Sequence, residues 1–125
     1  MGLLPVFEGA PVGTVFFNDA VGGTVVDMVS APASPATVLY MRLVNTTAAA
    51  AYLQVFRSAA ASVTLGTTAP YWVYRLAANE TLTIQRPWCL GADTAAQRSI
   101  SIAGTTTSTG SSAAVISVQA MTVII

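Results

Sequence analysis

The feature that most narrows what this chain can fold into is a period of two. In Glu80-Thr81-Leu82-Thr83-Ile84-Gln85 the apolar Leu82 and Ile84 alternate with polar neighbours, the pattern of a strand with one face buried and one wet. Arg98-Ser99-Ile100-Ser101-Ile102 repeats it with serines, and in Val38 to Val44 the residues Leu39, Met41 and Leu43 fall on one face, Tyr40 and Arg42 on the other. The last segment places Ile116, Val118, Ala120 and Ile124 on one face and Val115, Ser117, Gln119, Met121 and Val123 on the other. Both of its faces are largely apolar, so it is expected to be covered on both sides. No stretch keeps an apolar period of about 3.6 long enough to make a helix.

Turn formers punctuate these runs at Val21-Gly22-Gly23, Ala31 to Pro35, Gly66 to Pro70, Ala78-Asn79, Leu90-Gly91 and Gly104 to Ser112. A spacing of about 8 to 12 residues between such signals marks an all-β sandwich or barrel. Eight strands are predicted, near Val12 to Asn18, Thr24 to Val29, Thr37 to Asn45, Ala51 to Arg57, Tyr71 to Leu76, Glu80 to Gln85, Arg98 to Ala103 and Ala114 to Ile124. That number suits an antiparallel, jelly-roll-like β-sandwich. The 125 residues read as a single domain, large enough to bury roughly two-thirds of its unfolded surface.

Four alanines precede the alternating Tyr52-Leu53-Gln54-Val55-Phe56. Four are far fewer than the roughly 12 residues an isolated helix needs, so Asn45-Thr46-Thr47 is read as a hairpin turn and the alanines as the start of the next strand. Leu53 and Val55 then share one face, and Tyr52, Gln54 and Phe56 the other. Small side chains at Ala49 and Ala50 would let another chain approach closely.

Charge excludes several functions. Hydrophobic residues make up 54% of the chain and charged ones 8%, with five arginines against five carboxylates and neither lysine nor histidine. No concentrated positive field is present for direct nucleic-acid binding. No run of about 20 apolar residues suits a spanning helix, and the N-terminus lacks the basic and apolar regions of a signal peptide. A protein with so little charge tends to associate, and its apolar surface is tolerated when identical neighbours or a partner cover it.

The chemistry search returns negatives. Without histidine there is no Ser-His-Asp or Cys-His arrangement and no ordinary general base near neutral pH. Glu8, Asp19, Asp27, Glu80 and Asp93 are scattered, and Cys89 is single and expected to be a buried thiol. No catalytic, cofactor-binding or metal site is expected, and the protein is not expected to be an enzyme. The sequons at Asn45 and Asn79 both fall in predicted turns, where asparagine is favoured by its own hydrogen bonding to backbone.

Recognition is expected instead. Tyr71-Trp72-Val73-Tyr74, with Trp88 beyond Pro87 and Arg75 and Arg86 alongside, holds the residue types that dominate interface hot spots. Trp72 and Tyr74 are expected to fill the core, with Tyr71 and Val73 facing outward. Residues 1–11 form an expected extended arm, whose Leu3, Leu4 and Phe7 need a partner to cover them. The candidate interface residues are therefore Leu3, Leu4, Phe7, Ala49, Ala50, Tyr71, Arg75 and Trp88. Gly104 to Ser112, small and hydroxyl-rich, is expected at an exposed tip.

The block LVNTTAAAAYLQVFRSAAASVTLGTTAPYWVYRLAANETLTI, Leu43 to Ile84, carries a resemblance. Its Asn-Thr turn, Tyr-Leu-Gln strand, Leu-Gly-Thr-Thr-Ala-Pro turn, short aromatic strand and Ala-Asn-Glu-Thr-Leu-Thr-Ile strand resemble small structural proteins of tailed bacteriophages. In size and composition the chain is similar to their capsid decoration, or cement, proteins. The resemblance implies a virion protein, made in the host cytoplasm, that sits as homotrimers on the outer capsid against the major capsid protein. A tail, spike or head-fibre component with a carbohydrate-binding sandwich is the alternative.

Overall fold

A computed structural model describes residues 12–30, 36–85, 88–89 and 97–124. The expected arm, with Leu3, Leu4 and Phe7, lies outside them, and so does Arg86; of Trp88 and Cys89 the backbone alone is described. The chain is an antiparallel β-sandwich. Its strands are β1 (Val12–Val21), β2 (Val26–Val29), β3 (Ala36–Asn45), β4 (Ala51–Phe56), β5 (Trp72–Leu76), β6 (Thr81–Ile84), β7 (Trp88–Cys89), β8 (Ile100–Thr105) and β9 (Ile116–Ile124), with one 3₁₀ turn at Ala60–Ser62. The eight predicted strands are all present; the two-residue β7 has too short a pattern to be read from sequence.

One sheet, called the front sheet here, runs β1-β9-β3-β6, with β7 pairing to the far end of β3. The back sheet runs β2-β8-β4-β5. The chain crosses between sheets at β1–β2, β2–β3, β3–β4, β5–β6, β7–β8 and β8–β9, so strands from both ends of the sequence interleave in each sheet. This is the jelly-roll-like ordering expected from the strand count.

The two inner faces meet in one core. Val38, Met41, Leu43, Ile116, Val118 and Ala120 come from the front sheet, and Leu53, Val55, Leu76, Ile100 and Ile102 from the back sheet, each no more than 1% exposed. Their residue spacing is the period of two seen in the sequence, because successive Cβ atoms point to opposite faces. In β3 the register slips between Val38 and Tyr40. A bulge inserts one unpaired residue and re-aims its neighbours, so Val38 as well as Met41 and Leu43 is buried, which a strict alternation through Leu39 does not foresee.

Asn45 to Ala51 is not a hairpin. Both edges of β3 are already paired, to β9 and to β6, so β4 cannot lie beside it and the chain crosses to the back sheet. Asn45, wholly buried, organises the corner. Its Oδ1 accepts from the Thr47 amide at 3.0 Å and the Thr47 hydroxyl at 2.7 Å, and its Nδ2 donates to the carbonyls of Ala49 at 2.8 Å and Ala77 at 3.0 Å. The second crossover, β5 to β6, is tied to the first by Asn45 N–H to Glu80 O and Asn79 N–H to Thr47 O. Asn79 holds a positive φ of 57° there, a conformation asparagine tolerates better than most residues.

Gly104, on β8, is closely approached by the end of β1 and by the β8–β9 connection. A Cβ at this position would sit well inside contact distance of the Ala114 and Val21 carbonyl oxygens. Its own amide donates to Gly22 O at 2.9 Å, and its carbonyl accepts from Ala114 at 3.2 Å. Only hydrogen fits.

Candidate interaction surfaces

The two outer faces of the sandwich are treated differently. Over the back sheet, the connections β4–β5 and β8–β9 fold back as a cover. Ser101 Oγ donates to Ser58 O at 2.8 Å, the Ala60 amide to Asp27 Oδ1 at 2.8 Å, and Gln54 Nε2 to Thr105 Oγ1 at 2.8 Å and Gly110 O at 3.0 Å. Gln54, Phe56, Ser101, Ala103 and Thr105, all on this outer side, are consequently buried. The hydroxyl-rich loop is exposed from Thr106 to Thr109, whereas Gly104 and Thr105 belong to β8.

The front sheet has no such cover among the described residues. Val15 is 67% exposed, Phe17 60% and Met121 45%. Strand register makes them neighbours: Val15 faces Met121, which faces Tyr40, and in the adjacent row Phe17, Gln119, Arg42 and Thr83 lie side by side. The second face of β9 is therefore open, contrary to the expectation that this strand is covered on both sides. An apolar outer face says only that something suits it; the cover must come from elsewhere, and the two described connections that fold back, β4–β5 and β8–β9, lie on the other sheet. Arg42 is exposed, with no carboxylate of the described residues paired to it.

The aromatic cluster is split by its strand. Register puts Trp72, Tyr74 and Leu76 on the core-facing side of β5, opposite Val55, Leu53 and Ala51, as expected from alternation. Yet Trp72 is 54% exposed and does not fill the core. β5 is the edge of its sheet, where a side chain has a neighbouring strand on one side alone. Trp72 leans on Tyr74 instead, with ring centroids 6.3 Å apart. Tyr74 packs against the core, and burial pushes its phenol above the ordinary value near 10.

Tyr71 is exposed as expected, and its partner is Arg57 rather than Arg75. The Arg57 guanidinium stands 4.5 Å over the Tyr71 ring centroid, a cation–π contact worth about 0.5–1 kcal/mol at an exposed site. The pair borders a shallow groove of ≈ 370 Å³, lined also by Phe56, Ser58, Thr68, Ala69, Pro70 and Gln97. Arg75 is exposed on β5, opposite Tyr52. Trp88 belongs to the front sheet, paired through β7 with Val38, and so is not part of the same sheet as Tyr71 and Arg75. Ala49 is exposed and Ala50 half-buried at the β3–β4 corner.

Sequence reasoning missed Val15, Phe17, Met121 and Arg57. A signal existed for the first three: Val15-Phe16-Phe17 puts apolar side chains on both faces of β1, as β9 does. Arg57 carried none, because its contact with Tyr71 spans the β4–β5 connection.

Among the described residues no group of three histidine, cysteine or acidic side chains could hold a metal, and no helix is long and apolar enough to cross a membrane. The carboxylates of Asp27 and Glu80 accept backbone amides, and that of Asp19 accepts the Ser117 hydroxyl. No family model, curated protein or solved structure matches the chain.

Proposed function

We propose that this is a non-enzymatic structural protein of a virion, a decoration or cement protein that binds the outer capsid as trimers and stabilises the shell. The observation that carries the reading is the front face, which no described residue covers. Val15, Phe17 and Met121 form a flat apolar patch on a chain of zero formal net charge, and covering such a patch with a partner releases about 25 cal/mol per Å² of apolar area. The partner surface that fits it is flat and apolar with an acidic group at its border, opposite Arg42, to which no described carboxylate is paired. In this reading that surface belongs to the major capsid protein, and the resemblance of Leu43 to Ile84 to phage structural proteins supplies the setting. Each contact is weak. Three linked copies bridging neighbouring capsid subunits hold more tightly than any one, because later contacts form at high effective concentration.

A second reading, a tail, spike or head-fibre component that binds carbohydrate, is favoured by the groove beside Arg57 and Tyr71. Copy number and position on the particle separate the two. A cryo-EM map of the particle showing this chain at many three-fold positions, front sheet toward the shell, supports decoration. Density confined to the tail or to one vertex removes it.

A further inference from the structure

The groove beside Arg57 lies on the back-sheet side of the sandwich, away from the front face. Phe56, at its floor, shares the outer side of β4 with Gln54, and Arg57 and Tyr71 stand where the chain leaves β4 and enters β5. We infer that this groove is a binding site for an acidic saccharide, with Arg57 taking the sugar carboxylate.

Four observations carry this. Among the described residues the contact shown for the Arg57 guanidinium is the Tyr71 ring, which takes its face and leaves the N–H edges directed away from that ring. The Tyr71 ring beneath the guanidinium holds that plane in place, and an oriented guanidinium presents paired N–H groups that match a carboxylate bidentately. The rest of the rim is neutral and hydrogen-bonding, from Ser58, Thr68 and Gln97, while Ala69 and Pro70 supply apolar surface for the C–H face of a pyranose. Thr68 already accepts the Thr64 amide at 3.0 Å, which fixes its hydroxyl and leaves its proton to donate. Finally, ≈ 370 Å³ is room for a monosaccharide or disaccharide, at the small end of the roughly 300–1,000 Å³ typical of ligand sites. A peptide is the poorer fit. The groove lies at the start of β5 rather than along its free edge, so it offers no row of backbone groups to an extended chain.

Front face and groove lie on opposite sides of the molecule, so a copy seated on a shell would present the groove to the medium. The inference goes beyond the decoration reading and does not depend on it. The test titrates the full chain with methyl β-D-glucuronide, with methyl β-D-glucoside as neutral control and a glutamate-rich peptide as competitor class, followed by ligand-observed NMR and isothermal calorimetry. Saturable binding of the glucuronide, at least tenfold weaker binding of the glucoside, and loss of the difference in Arg57→Gln are expected. Tyr71→Ala should weaken glucuronide binding several-fold with an unchanged circular dichroism spectrum, and Phe17→Glu, on the other face, should leave it intact. Absence of saccharide binding, equal affinity for charged and neutral sugars, preference for the peptide, or full retention in Arg57→Gln overturns the inference. None of those results bears on whether the front face binds a shell.

Discussion

Asn45 is wholly buried, and it satisfies both ends of its amide within one corner, accepting from Thr47 and donating to Ala49 and Ala77. Truncation removes these four part-buried hydrogen bonds at once, and each contributes about 0.5–1.5 kcal/mol net. Asn45→Ala is therefore expected to lower the stability measured by urea unfolding by about 2–3 kcal/mol. Asn45→Asp should cost at least as much, because it keeps the acceptor but places a carboxylate against the Ala49 and Ala77 carbonyls. An aspartate variant as stable as the parent would refute that account. Tyr74 makes a pH-dependent contribution. Burial raises its pKa in the fold above the ordinary value near 10, so the unfolded chain loses this proton first as pH rises. The stabilisation it represents is fully present below pH of about 10 and is lost as pH climbs through the raised folded value. Tyr74→Phe should flatten that part of the alkaline decline in unfolding free energy, followed by chemical denaturation between neutral and strongly alkaline pH.

At the scale of elements, the covering of the back sheet depends on few anchors. Gln54 Nε2 holds Thr105 and Gly110, while its Oε1 has no hydrogen-bond partner among the described residues. The side chain thus spends its donors on tying down the β8–β9 loop. Replacing it with leucine removes those bonds but nearly conserves volume, so the loop should loosen while the sheet persists. Gln54→Leu is expected to speed amide exchange at Thr106, whose N–H donates to Ser112 O at 2.9 Å, by tenfold or more relative to the β4 core. Unaltered exchange there would show that the isolated bridge between Thr105 and Ala113 holds the loop by itself. β5 teaches a related lesson about edges. Its alternation is regular, yet Trp72 and Leu76, on the same side of one strand, are 54% and 0% exposed, so burial changes with position along an edge strand.

For the molecule as a whole, the decisive asymmetry among the described residues is a back sheet covered by its own connections and a front sheet that is not. Phe17 and Met121, 60% and 45% exposed on the outer face, lie outside the core. Phe17→Glu combined with Met121→Glu should change unfolding free energy by no more than about 0.5 kcal/mol per site. The same pair should abolish co-sedimentation with capsid particles stripped of the protein. Undiminished co-sedimentation would mean that the front face is not the seat of attachment. If the double variant instead alters the oligomer in light scattering while still binding particles, the patch joins copies of this chain to each other.

Most of the strand positions were legible from residue order, since alternation and turn formers are local properties and each strand imposes its own period. The side toward which Leu53 and Val55, or Leu82 and Ile84, point was legible for the same reason. The supposed hairpin at Asn45 failed because a turn motif specifies a reversal of direction and not the strand that receives the chain. Trp72 failed because alternation assigns a side and not a depth. By itself, then, the sequence determined an all-β chain and the faces its residues share. Tertiary structure alone decided which strands pair, which face the connections cover and which is left open, because those outcomes depend on contacts between residues far apart in sequence, where no local period reaches.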